Sequence, residues 1–191
     1  RQLVASGIGP GGWVLDVACG TGVLAAAALP LTGPTGRAVG LDPSAGMLTR
    51  ARARGVRELV LGIAERLPFP DASFDLVTMG YALRHVADLG ATFAEFRRVL
   101  RPGGQLLVLE ITRPQSRWGF AFARCYLGWL VPLLARVGGS ATRELFEYYW
   151  DTIDQCVPPA TILTALADAG FADPRRDIEL ALFSAYRGSV R

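Results

Sequence analysis

The chain has 191 residues, enough for one domain with a sizeable core. It is 51% apolar and 19% charged, which excludes a disordered polymer, and its formal net charge of +3 is too small to argue for a nucleic-acid partner. Cys19, Cys125 and Cys156 are odd in number and far apart, which excludes a disulfide framework and any close-spaced zinc motif, so no metal is expected.

Residues 1–12 read as the end of a helix and a Gly9-Pro10-Gly11-Gly12 turn. Residues 13–17 set four apolar residues around Asp16, the pattern of a central strand covered on both faces. The strand runs into Gly20-Thr21-Gly22, where backbone can approach a ligand closely, and a helix follows over residues 23–29. Residues 37–42 form a second strand ending in Asp42, and Pro43-Ser44 opens a second helix to about residue 54. Its Arg50, Arg52 and Arg54 read as a solvated face. Strands are expected at 56–61 and 74–79, a helix at 89–100 stopped by Arg101-Pro102-Gly103-Gly104, and a fifth strand at 105–111. A helix over 159–170 and an antiparallel pair at 175–180 and 182–186 close the chain.

This alternation predicts an α/β, Rossmann-like sheet of seven strands, mostly parallel, with an antiparallel last strand. Right-handed crossovers then put the loop after every parallel strand on one edge, where ligands bind. That edge collects residues 16–22, Asp42, 63–65, 79–85 and 110–113. Two cofactors suit the glycine loop. Gly20-Thr21-Gly22-Val23-Leu24-Ala25 with Asp42 fits a dinucleotide fingerprint. A carboxylate at Asp16, beside the loop, instead suits a cationic amino or sulfonium group, as in S-adenosylmethionine (SAM), and disfavours phosphate.

Residues 114–159 break the alternation. Trp118, Phe120, Phe122, Tyr126 and Trp129 crowd into a run that Arg124 and Pro132 interrupt, so it is no spanning helix. It is extra core, an apolar lid over a substrate, or a surface resting on a membrane. One domain over 1–191 is expected, with 114–159 a helical, apolar cap inserted after the fifth strand. No signal peptide is read, so a cytoplasmic protein is expected, at most peripheral to a membrane. The chain opens at Arg1 rather than Met, so a processed, trimmed or fragmentary start is expected. The oligomeric state stays open, a homodimer being one option.

Val14-Leu15-Asp16-Val17-Ala18-Cys19-Gly20-Thr21-Gly22 resembles the first motif of class I SAM-dependent methyltransferases, and Gly40-Leu41-Asp42-Pro43-Ser44-Ala45-Gly46-Met47-Leu48 resembles their second. Residues 67–75 and 98–104 resemble later ones, and the set displaces the dinucleotide reading. Tyr81-Ala82-Leu83-Arg84-His85-Val86 with residues 106–114 is similar to the UbiE/Coq5 family of quinone C-methyltransferases. Against that family, His85 replaces a usual Asn, Ile63 a usual polar residue, and Val157-Pro158-Pro159 a His-Pro-Asp segment; an N-terminal helical segment is not seen.

The resemblance implies SAM as cofactor and an apolar, aromatic small molecule as methyl acceptor. Asp16 is expected near the methionine amino group, Gly20 and Gly22 under the cofactor, Asp42 on both ribose hydroxyls, and Met47 against adenine or in the helix core. Ala64 offers its backbone N–H to adenine, and Glu65 either accepts from the adenine amino group or is a solvated loop acid. Ala18, Pro43 and Gly80 complete the cofactor site. His85, the only histidine, is the candidate base for a ring hydroxyl, with Arg84 stabilising the oxyanion or bridging Glu110 or Asp88. Tyr81, Phe122, Trp129 and Tyr149 are expected at the acceptor. Quinone-type C-methylation leads; O-methylation of a phenolic or polyketide metabolite, or a SAM-binding subunit inactive alone, remain open.

Overall fold

Residues that alternate between two cores, rather than between core and water, mark the strands of this chain. Val14 and Leu15 are adjacent and both buried, as are Leu76 and Val77, and Leu106 and Leu107. A sheet with that pattern needs helices on both faces. The computed structural model describes residues 2–111, 156–179 and 183–191 and has that architecture.

In chain order the elements are α1 (Gln2–Ala5), β1 (Trp13–Val17), α2 (Val23–Thr32), β2 (Arg37–Asp42), α3 (Ala45–Ala53), β3 (Glu58–Leu61), β4 (Phe74–Gly80), a 3₁₀ turn (Leu83–His85), α4 (Leu89–Val99), β5 (Leu100–Ile111), α5 (Pro159–Asp168), β6 (Ala172–Glu179) and β7 (Phe183–Ser189). The seven strands lie in the order β3-β2-β1-β4-β5-β7-β6. β1 through β5 are parallel, and β7 is antiparallel to β5 and to β6. The expected fold is therefore the observed one. The order also makes β1 and β4 neighbours, pairing Asp16 with Thr78.

One face packs Leu15, Val17, Val77, Met79, Leu106 and Val108 against Phe93 and Phe96 of α4 and Ile162 and Leu166 of α5. The other packs Val14, Leu76, Leu107 and Ala185 against Leu3 and Ala28 of α1 and α2. Phe93 and Phe96 are fully buried and stack edge to face at 6.0 Å, each stabilising the fold by roughly 1.5–3 kcal/mol.

Helix starts follow side-chain capping. Ser44 accepts from Met47 N at 3.4 Å and Asp88 from Ala91 N at 3.0 Å, so Pro43 lies before α3 rather than in it. α2 runs three residues beyond the expected end and carries Pro30 in its last turn. α4 passes directly into β5 at Leu100, with no intervening turn, because Leu100 pairs with Phe74. The Pro-Gly-Gly signal sits inside the strand, where the register shifts.

Two motif arginines clip the edge opposite the ligand loops. Arg98 donates to Leu67 O, Phe69 O, Asp71 and Glu95, binding the loop after β3 to α4. Its guanidinium holds the Glu95 carboxyl below the usual range. Arg101 grips Asp75, which also accepts from Trp13 N at 2.8 Å, and its guanidinium lies over the Trp13 ring. These residues hold the sheet's base and stand away from the ligand edge. Phe122, Trp129 and Tyr149, with all of 112–155, lie outside the described residues, and so does the expected cap.

Candidate active site

β1 delivers Asp16, then turns through Ala18, Cys19 and Gly20 into the α2 N-terminus at Gly22. The two motif glycines serve different purposes. At Gly22 (φ 76°) a Cβ would stand 2.9 Å from Ala51 of α3, so glycine is required by packing. At Gly20 (φ 54°) a Cβ would meet nothing within 4 Å, so that side of the loop is open. Gly80, at the end of β4, belongs with Gly22: its Cβ would strike Leu24 at 2.9 Å.

Asp42 is hydrogen-bonded to this loop. One carboxylate oxygen accepts from Gly20 N and the other from Ser44 N, both at 2.8 Å, and the residue is 6% exposed. A carboxylate has about four acceptor positions, so each oxygen keeps one for a further donor. Cys19 N donates to Leu41 O, and the Cys19 side chain packs against Gly40, where a Cβ would sit 2.9 Å from Sγ. Burial, with Asp16 and Asp42 nearby, pushes the Cys19 thiol up to about 12, so it stays protonated and is no nucleophile.

Asp16, in β1, is 1% exposed. Thr78 Oγ1 donates to one oxygen at 2.8 Å and Ala25 N to the other at 3.0 Å. Ala25 is in the first turn of α2, so Asp16 caps the helix that Gly22, lacking a side chain, cannot cap. Burial raises the Asp16 carboxyl to about 7, against the lowering effect of those two hydrogen bonds, and Asp42 adds to the rise.

Next to Asp42 the surface is apolar. Met47, in the first turn of α3, is 36% exposed, and Ile63 is 51% exposed. Met47 is therefore not helix core. Ala64 is buried behind Ile63. Glu65 is not a loose acid, since its Oε1 accepts from Ala87 N at 2.8 Å and ties the loop after β3 to the loop after β4. Arg54 Nε donates to Thr21 O at 2.8 Å, which joins the end of α3 to the glycine loop.

Past Gly80 the chain enters a strained turn. Tyr81 has φ 59° and is 41% exposed; its N–H donates to Leu109 O at 2.7 Å, and its ring meets Phe183 edge to face at 6.3 Å. The 3₁₀ turn then carries Arg84 and His85. Buried Glu110 fixes it, accepting from Leu83 N at 3.1 Å and Ile111 N at 3.0 Å. Burial raises the Glu110 carboxyl, and nearby Arg84 opposes the rise. Arg84 Nη1 donates to Tyr81 O at 2.8 Å. His85 is exposed; partial desolvation and the Arg84 charge hold its imidazole below 6.5, so it is neutral near pH 7. Beside the turn a cleft of about 250 Å³ is lined by Gln2, Tyr81, Leu109, Phe183, Ser184 and Ala185.

Thr78, the bonds by which Glu110 fixes the 3₁₀ turn and the strut role of Glu65 escaped the sequence reading. Thr78 was detectable only once β4 is set beside β1. Among the described residues no group of three or more His, Cys, Asp or Glu side chains is placed to hold a metal ion, and no helix is long and apolar enough to cross a membrane.

Ala18 has φ 53°, a left-handed conformation that costs an L-residue about 1–2 kcal/mol. Ala18→Gly is expected to stabilise the fold by roughly 0.5–1 kcal/mol, after the greater unfolded-state freedom of glycine is subtracted, and to raise Tm by about 2 °C. Thermal unfolding followed by circular dichroism measures it; a lower Tm would show that the loop is not strained there.

The site fits SAM. Two carboxylates under the loop favour a cationic ligand and oppose a pyrophosphate, Asp42 keeps acceptor capacity for a ribose diol, the Gly20 side is open, and Met47 and Ile63 offer apolar surface for a flat base. Solved structures share the fold. A SAM-dependent methyltransferase from Aquifex aeolicus superposes with a TM-score of 0.73 over 99% of this chain and 87% of that one, at 16% identity. The [4+2]-cyclase SpnF reaches 0.68 over 99% of this chain and 78% of its own, at 18% identity, so the fold alone does not fix the reaction. The sequence narrows it. The ubiE/COQ5 methyltransferase family matches residues 4–177. A demethylmenaquinone methyltransferase of Symbiobacterium thermophilum is 36% identical over 91% of this chain and 74% of its own length. A ubiquinone/menaquinone biosynthesis C-methyltransferase UbiE of Shewanella oneidensis is 37% identical over 88% of this chain and 70% of its own.

Fold and site thus define a SAM-dependent methyltransferase. Within that class, the chain belongs to the ubiE/COQ5 methyltransferase family.

Proposed function

We propose that this enzyme methylates a ring carbon of an apolar, quinol-type aromatic acceptor. The observation that supports the reading is that the turn Leu83–His85, with its neutral imidazole and its guanidinium, closely follows Tyr81, which lines the cleft with Phe183. The relatives support it, being called demethylmenaquinone and ubiquinone/menaquinone C-methyltransferases.

SAM, when bound, supplies an electrophilic methyl group on a sulfonium. Asp42 accepts the ribose hydroxyls, the Gly20 face, with Ala18 and Pro43 alongside, lies along the cofactor, Met47 and Ile63 flank the adenine, and the Ala64 N–H meets its edge. His85 takes the proton of an acceptor hydroxyl, which raises electron density at the adjacent ring carbon. Arg84 opposes the negative charge on that oxygen. Tyr81 and Phe183 hold the ring by apolar contact and exclude water.

The test is a panel of reduced naphthoquinones and benzoquinones, simple phenols and small polar amines, each incubated with isotope-labelled SAM. Labelled product one methyl group heavier is expected from the quinols. Turnover confined to the amines would overturn the reading; turnover of the phenols alone would favour the O-methylating alternative.

A further inference from the structure

We propose that Thr78 is a positioning residue of the cofactor site, whose hydroxyl keeps Asp16 in its ionised form beneath the glycine loop. Thr78 and Asp16 face each other across the β1–β4 pair and are both fully enclosed. The hydroxyl lies 2.8 Å from Asp16 Oδ1 but 3.5 Å from Leu15 O, so its proton is better spent on the carboxylate. A buried carboxylate needs such donors to stay charged. Asp16 has two, Thr78 on one oxygen and Ala25 N on the other.

Among the described residues no other side chain donates a hydrogen bond to Asp16. α2 carries no ionisable residue along Val23–Thr32. The titratable groups facing Asp16 are Asp42, at the end of β2, and Cys19, in the loop. Asp42 acts against ionisation of Asp16, and the Cys19 thiol is neutral. Thr78 is thus the side chain that sets whether the loop rests on two negative charges or one. A cationic ligand such as SAM binds better over two, and by linkage its binding draws the proton off Asp16.

Carboxyl-labelled aspartate NMR reads the titration, with Asp16→Asn identifying the resonance, and calorimetry reads SAM binding across the same pH range. In the wild-type protein the Asp16 midpoint is expected near 7 and is expected to fall when SAM is added. Thr78→Val should raise the midpoint and weaken SAM about tenfold at pH 7, the gap narrowing toward about pH 8.5 as Asp16 ionises regardless. Thr78→Ser, which keeps the hydroxyl, should match the wild type. A Thr78→Val midpoint no higher than that of the wild type overturns the proposal. So does a Thr78→Val defect of the same size at every pH, which a purely structural role would give.

Discussion

Asp42→Ala is expected to weaken SAM binding by about 2–4 kcal/mol, thirty-fold to several hundred-fold, and to lower Tm, since Gly20 N and Ser44 N lose their acceptor. The size follows from geometry. Asp42 is nearly enclosed, and its two oxygens are fixed by Gly20 N and Ser44 N, each with one acceptor position left over. Two hydroxyl hydrogen bonds to a charged acceptor are lost in the variant, each contributing about 1.5–3 kcal/mol. The same substitution removes one of the two carboxylates that oppose phosphate at this loop. NAD titrated into the wild-type protein should therefore give no comparable heat. A loss of SAM affinity under about tenfold would take Asp42 off the ribose, and NAD binding of equal strength would reassign the loop.

His85→Ala should lower turnover by roughly 10²–10⁴ while leaving SAM affinity unchanged. The side chain sits on a turn that Glu110 fixes from β5, separate from the glycine loop proposed to hold the cofactor. Its pKa is lowered by partial burial and then by Arg84, so the neutral, proton-accepting form persists to lower pH than in a free imidazole. Turnover limited by this base should rise with pH through that lowered value and be level by neutrality. Single-turnover rates across pH, for wild type and variant, measure both effects. Unchanged turnover in the variant would return His85 to a structural role, and turnover that begins to rise only above 6.5 would contradict the direction of the shift.

What the sequence revealed was what neighbouring residues encode. The buried strands were legible because each is a continuous apolar run, and the ligand edge followed from the acids and glycines at their ends. Asp42 was legible as the acid that ends β2, although its bond from Gly20 N, 22 residues away, was not. Contacts that depend on sheet order were invisible. Thr78 reaches Asp16 only because β4 lies beside β1, and Glu65 reaches Ala87 only because two loops meet above that sheet. Gly20, Gly22 and Gly80 read alike as a ligand cradle, and the close approach of Ala51 to Gly22 adds a packing reason that the sequence did not show. The Pro-Gly-Gly signal at 102–104 marked a helix stop correctly but not the strand that had already begun, since pairing with Phe74 recruits Leu100.

The account rests most on where the methyl group goes. The direct measurement is carbon NMR of the product formed from SAM carrying a ¹³C-labelled methyl group and a reduced naphthoquinone with an open ring position beside its hydroxyl. A single labelled signal in the aryl-methyl region, coupled to ring carbon, is the expected result. A signal in the methoxy region, with the ring position still bearing hydrogen, would contradict it.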